Sequence, residues 1–171
     1  MSNLFIAVMW NNMDDYSKVI KTLEQKFGKI LKQSEEYDFD AYTNHYEPEM
    51  GKGIKKKFLV FEKNIEKHDL VAIKKETTEI EQEFIEGEDK RKYTEVLIEG
   101  KRKINIDPGY INDKELVLAS FKRKRFKEDL GEGVFAHKVL EFEDGKIVCF
   151  FHTFKDYEHN VEFFRGLITF I

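Results

Sequence analysis

Asn105-Ile106-Asp107-Pro108-Gly109-Tyr110 is the stretch on which the reading of this fold turns. The chain has two prolines among 171 residues, so each marks a local constraint. Proline holds φ at about −65° and glycine tolerates positive φ, so Asp-Pro-Gly-Tyr reads as a tight type II turn that begins on a carboxylate. A turn here ends a strand over Lys101–Asp107 and aims Asp107 and Tyr110 in defined directions. The second proline lies in Glu47-Pro48-Glu49-Met50-Gly51, inside a polar loop.

The flanks of the first motif read as β-structure. Tyr93–Ile98 and Lys101–Asp107 bracket Glu99-Gly100 as a hairpin, and Glu115–Phe121 is an apolar, interior strand. Gly133–Glu143 and Lys146–Phe154 bracket Asp144-Gly145, the strongest short hairpin signal in the chain. Upstream, Leu4–Trp10 reads as a buried strand. It is too short for a membrane span and has neither a basic flank nor a small-residue cleavage site. Tyr16, Val19, Ile20, Leu23 and Phe27 then recur at helical spacing, with Asn12 as cap and Gly28 as stop. Strand-like stretches follow at Ile30–Tyr37 and Ile54–Glu62. A second helix carries Leu70, Ile73, Thr77, Ile80 and Phe84, closes at Gly87, and turns Lys74, Lys75, Glu76, Glu79 and Glu83 to solvent. A last helix starts near Asp156 and buries Tyr157, Val161, Phe164 and Leu167. Ile168, Phe170 and Ile171 are too apolar to hang free and are expected to dock on the sheet or on a second subunit.

This order predicts an α+β fold in one domain, residues 1–171. It is a mainly antiparallel sheet with about three helices packed chiefly on one face, and its opening half is of the ferredoxin-like βαβ type. Sixteen Phe, seven Tyr and one Trp supply a core. The high Lys and Glu content with little Pro resembles thermophile composition. A net charge of −4 argues against a dedicated nucleic-acid coat. A single cysteine, Cys149, excludes an internal disulfide and a multi-cysteine zinc site, and fits a reducing cytoplasm.

Three motifs resemble an uncharacterised prokaryotic family, domain of unknown function 4416. They are Tyr46-Glu47-Pro48-Glu49-Met50-Gly51, Asn105 to Tyr110, and Leu116-Val117-Leu118-Ala119-Ser120, in that order. Arg102 and the ending Thr153-Phe154-Lys155-Asp156-Tyr157 extend the resemblance over nearly the whole chain. The family carries no established activity. Its members are sometimes labelled GTP-binding, yet this chain has no Gly-x-x-x-x-Gly-Lys-Ser/Thr loop. The chain departs from the family pattern in having Phe126-Lys127 where a His-Arg pair is usual. It also has His137 where Glu is favoured, and Lys155 and Glu158 where Pro and Arg are favoured.

The candidate site follows from these motifs. Tyr46, Glu49, Arg102, Asn105, Asp107, Tyr110 and Lys122 are expected to line one cleft for a small anionic ligand, a nucleotide or phosphorylated metabolite. Glu49 and Asp107 are the candidate ligands for Mg²⁺ or Mn²⁺, since hard cations want oxygen. Asp107 is better suited still to accepting hydrogen bonds from its own turn. If Asp144-Gly145 is a two-residue turn, His137 lies opposite His152, and the pair offers a second metal position with Glu141 on the same face. Lys122, Arg123, Lys124, Arg125 and Lys127, edged by Phe121 and Phe126, form a basic run suited to phosphate or single-stranded RNA. Glu128, Asp129 and Glu132 follow at once and can neutralise it, while Lys55-Lys56-Lys57 can add to it. Cys149 reads as inert packing, and Ser120 has no evident base beside it. No catalytic residue stands out. The alternative to a ligand-binding protein is a non-catalytic interaction module, RNA-associated or homodimeric. No membrane partner is expected.

Overall fold

The structure is a computed structural model that describes residues 1–85 and 102–171. The elements run β1 (Ser2–Trp10), α1 (Met13–Phe27), β2 (Ile30–Gln33), β3 (Tyr37–Asp38), α2 (Glu47–Met50), β4 (Lys55–Ile65), α3 (Leu70–Glu83), β5 (Ile104–Ile111), β6 (Glu115–Ser120), β7 (Glu128–Gly131), β8 (Val134–Glu143), β9 (Lys146–Cys149), α4 (Lys155–His159) and α5 (Val161–Ile168). The expected Gly87 stop and most of the Tyr93–Ile98/Lys101–Asp107 hairpin lie outside the described residues.

All strands join one antiparallel sheet in the order β2-β4-β1-β5-β6-β8-β7, with β3 also on β4 and β9 also on β8. β1 and β2 both run antiparallel to β4, which lies between them, so they are parallel to each other and α1 is their crossover. β4 and β5 stand in the same relation around β1, with α3 as crossover. The first six major elements are therefore a complete ferredoxin-like βαββαβ unit. β6 to β9 extend its sheet from the β5 edge.

The local reasons are legible. Asn12 caps α1 by accepting hydrogen bonds from the Asp14 and Asp15 amides, at 2.8 and 3.3 Å. Gly28 ends the helix at a φ of 90° that a side chain would oppose. Asp144 and Gly145 both take positive φ, as a two-residue hairpin between β8 and β9 requires.

Alternation along β1 divides the core. Leu4, Ile6, Val8 and Trp10 face α1 and α3, against Val19, Leu23, Leu70, Ile73 and Ile80. Phe5 and Ala7 face α4 and α5, against Tyr157, Phe164 and Leu167. Helices therefore cover both faces, not chiefly one as expected, because the C-terminal pair folds back over the face that the crossovers leave bare. Ile168 and Ile171 pack on this second cluster, as anticipated, while Phe170 stays half exposed beneath Lys32. On the same side Lys56, Asp156 and Tyr37 form a buried knot. Lys56 Nζ is 2.8 Å from Asp156 Oδ2, and the Tyr37 hydroxyl donates to that oxygen at 2.6 Å.

The largest departure concerns the Asp-Pro-Gly-Tyr motif. It is not a turn. β5 runs straight through it and pairs with β1 over its whole length, from Trp10↔Ile104 to Asn3↔Ile111. Gly109 does not take positive φ. Its role is close approach, since a Cβ there would strike the Val117 carbonyl oxygen and lie 3.0 Å from Leu118 Cα. β6 pairs β5 only at Gly109, Tyr110 and Ile111, so among the described residues, positions 104–108 have a strand neighbour on one side alone. The Ile106 amide points away from β1, to Glu81 of α3. Pro108 lies two residues on and therefore turns its N–H-less nitrogen to that same open side. An internal strand tolerates this proline because its missing donor falls where the neighbour has already parted.

Candidate functional site

Among the described residues, the parting of β5 from β6 leaves a slot beside residues 104–108. α3 closes it from the crossover side with two polar side chains, Lys74 and Glu81, both buried. Neither follows the expected pattern, in which Lys74 faces solvent. Leu70, Lys74, Thr77 and Glu81 share one helical stripe at spacings of three and four, so the inward direction was readable from the period.

Arg102 is the hub of the slot. Its Nε and Nη2 donate to the two oxygens of Glu49, the second at 3.2 Å, and its Nη1 donates to Glu81 Oε2 and Asn105 Oδ1, both at 2.9 Å. Glu81 Oε2 also accepts the Ile106 amide at 3.0 Å. Asn105 in turn donates to Asp107 Oδ2 at 2.9 Å, and Lys74 Nζ stands 3.9 Å from Asp107 Oδ1. Burial raises the Glu81 pKa, while Arg102 and Lys74 oppose that shift. Arg102 loses hydration, but Glu81 and Glu49 more than offset the loss and hold its pKa above the ordinary value. The hydroxyl of Tyr46 is pushed up by burial and by Asp107. Tyr157, wholly buried and with no hydrogen-bond partner for its hydroxyl among the described residues, lies in the field of Asp156, Asp107 and Tyr46.

Tyr46, Glu49, Arg102, Asn105 and Asp107 are thus brought together, from chain segments more than fifty residues apart. Glu49 is carried on α2, a single turn begun by Pro48 where a loop was expected. Tyr110 is not part of the group. Three residues from Asp107 along a strand, it points to the opposite face, where its hydroxyl donates to Glu115 at 2.5 Å. The carboxylates proposed as metal ligands surround a guanidinium instead. A hard cation would have to displace Arg102 from both oxygens of Glu49.

A second polar region has the opposite character. Arg123, Lys124, Arg125 and Lys127 line a concavity of about 490 Å³ with Phe135 and one carboxylate, Asp129. It adjoins another, of about 630 Å³, that includes Lys122. The acids next along the chain do not neutralise the run as expected. Glu128 pairs with Lys67 at 2.9 Å and Glu132 with Lys75 at 2.8 Å, which leaves Asp129, 3.6 Å from Arg123. Lys127 hydrogen-bonds Ser120 Oγ at 3.1 Å and the Lys122 carbonyl at 3.2 Å, and among the described residues it has no carboxylate partner. Burial, then Lys122, Lys124 and Lys74, lower its pKa to about 8. Lys55-Lys56-Lys57 do not join this region. They lie on β4, with β1, β5 and β6 in between.

The histidine register holds only in part. Glu143 pairs with Lys146 as counted, but β9 stops at Cys149, so His152 lies in a following turn and not opposite His137 in the ladder. The rings still approach, with centroids 5.2 Å apart. His152 stacks between Phe126 and Phe150, and its Nε2 donates to the Lys138 carbonyl at 3.0 Å. His137 Nε2 and His152 Nδ1 are buried without partners. Burial, then Lys127 and His152, hold the His137 pKa down at about 4. Among the described residues no group of three or more His, Cys, Asp or Glu side chains could hold a metal ion. Cys149 is exposed, not packed inside.

Sequence reasoning missed Glu81 and Lys74, whose helical period pointed inward, and the Lys127 amine beside Ser120, for which no local signal exists. Among the described residues no helix is long and apolar enough to cross a membrane. No curated protein and no solved structure matches the chain. The family described as domain of unknown function DUF4416 matches residues 1–167, and the chain belongs to that family.

Proposed function

We propose that this protein binds a small anionic ligand, a nucleotide or phosphorylated metabolite of the cytoplasm, in the basic concavity beside Lys127. One observation carries the reading: Glu128 and Glu132 pair with Lys67 and Lys75, and among the described residues Asp129 is the carboxylate paired with a cation of the run. Oriented cations without counter-charges favour an anion of several oxygens, and arginine suits phosphate in particular. Burial is the larger cause of the depressed pKa of Lys127, and Lys122, Lys124 and Lys74 add a repulsion that a bound phosphate would relieve. Of the residues expected in the cleft, Lys122 belongs to this region. Tyr46, Glu49, Arg102, Asn105 and Asp107 line neither hollow and are linked to the region through Lys74, which faces Asp107 and whose charge acts on Lys127. A Mg²⁺ or Mn²⁺ ion enters this reading only as a companion of the ligand, because Glu49 is held by Arg102.

Thermal unfolding tests it. Phosphate, nucleotides and sugar phosphates, each with and without Mg²⁺, should raise Tm by about 5–10 °C at a hundredfold excess over Kd. Lys127→Ala with Arg125→Ala should abolish the shift. A flat response across the set would remove the reading.

A second reading has its own support. Phe126, Phe151 and Phe154 are exposed aromatics next to the basic run, with Phe126 and Phe151 at 5.6 Å between centroids. Cations interleaved with exposed rings suit single-stranded RNA. Binding of a short RNA that weakens steeply with salt, and is lost in Phe151→Ala, would favour it.

A further inference from the structure

Ser120 stands at the end of β6, where the chain enters the basic run. Its Oγ accepts hydrogen bonds from the Lys122 amide at 3.0 Å and from Lys127 Nζ at 3.1 Å. The base that the sequence did not reveal is supplied by a residue seven positions on. Lys127 is half-buried, bonded to one serine and one carbonyl, and ringed by other cations. A lysine in such a setting is the recognised partner of a serine nucleophile, since the neutral amine can take the hydroxyl proton.

We propose that Ser120 and Lys127 form a nucleophile–base pair that transfers the acyl group of an anionic ester, with Arg123, Lys124 and Arg125 holding the substrate's anion. The inference rests on the anion-binding reading above and names a reaction for the same site. With Lys127 neutral, the hydrogen bond reverses and Oγ–H donates to Nζ. As Oγ bonds to the acyl carbon, its proton passes to Nζ and the carbonyl π pair moves onto oxygen. Collapse breaks the bond to the alkoxy group, which leaves as the alcohol with the proton from Nζ. Water then attacks the acyl-serine, giving its proton to Nζ. Cleavage of the acyl–Oγ bond returns that proton to Ser120 and frees the acid. Ester and water become alcohol and acid, and no other reactant is needed. Burial, with the surrounding cations, lowers the Lys127 pKa to about 8 and so poises the base near neutral pH, and the same cations favour the oxyanion of the intermediate.

The test is reaction with a fluorophosphonate, with the adduct located by peptide mass. The wild type should be labelled at Ser120, at a rate that rises about tenfold between pH 7 and pH 9 as the amine is freed. Ser120→Ala should lose the adduct. Lys127→Arg keeps the charge but cannot act as a base, and should slow labelling by at least about 100-fold. No adduct at Ser120, or an adduct whose rate ignores both pH and Lys127, overturns the proposal. The pH profile needs no variant, so it decides even if a variant misfolds. Tm measured in phosphate on the same wild-type protein separates the two readings. A shift without an adduct leaves anion binding standing and removes the dyad. An adduct without a shift keeps the dyad and removes its anionic substrate.

Discussion

The surroundings of Arg102 and those of Lys127 adjoin each other, yet they treat charge in opposite ways. Around Arg102 each charge meets its counterpart: Glu49 and Glu81 take the guanidinium, and Lys74 faces Asp107. Around Lys127 the cations crowd together while the nearest acids pair elsewhere. A closed network of this kind specifies how segments meet. An open one stores unfavourable repulsion that a ligand can relieve. The difference teaches that the acidic motif residues, prominent in sequence, tie segments to one another, while the unremarkable basic run is the part to which we assign binding.

Removing the hub should have the largest effect on stability. Arg102→Ala leaves Glu81 buried without its main counter-charge, and should cost about 3–5 kcal/mol in urea unfolding. A loss of phosphate response with no loss of stability would invert the comparison and make Arg102 a binding residue. Gly109→Ala comes next. It forces β5 from β6 at their last point of contact before the slot, for a loss of about 1–3 kcal/mol or more. If it were neutral, the close approach would not be what glycine serves there.

The pH responses sharpen the open side. His137 has a folded pKa of about 4 against an ordinary 6.5, so the unfolded chain binds more protons between those values. Stability should therefore fall as pH drops from 6.5 towards 4, and His137→Phe should flatten that slope in acid titrations followed by circular dichroism. Lys127 has a folded pKa of about 8 against 10.5, so the folded chain binds fewer protons in that window and stability should rise with pH across it. Lys127→Ala should remove this rise and otherwise leave stability within about 1 kcal/mol of the wild type. A large loss from Lys127→Ala would show the basic cluster to be as structural as the Arg102 hub.

The elements that a local signal defines were readable in advance. Asn12, the 3.6-residue period of α1 and Asp144-Gly145 each act within a few residues, so their consequence hardly depends on the rest of the chain. The ferredoxin-like opening followed from their order. The candidate site was readable as a set of residue types, because Glu49, Arg102, Asn105 and Asp107 do converge. What they do on convergence was not readable. The expectation of a metal-binding pair failed to anticipate that Arg102 would stand between the carboxylates, since sequence spacing carries no information about which distant charge arrives.

Asp-Pro-Gly-Tyr marks the boundary between the two kinds of knowledge. By itself the sequence determined that residues 107–110 are constrained, with one missing N–H and one missing Cβ. Only the tertiary structure decided whether those gaps serve a bend or a strand. With β1 paired along the whole of β5, a turn would break that ladder. The slot beside β6 absorbs the absent donor, and the Val117 carbonyl occupies the place of the absent side chain. The same holds for Ser120 and Lys127. Their residue types were present in the sequence, but a hydrogen bond depends on position in space, and burial among like charges is a property of the assembled fold.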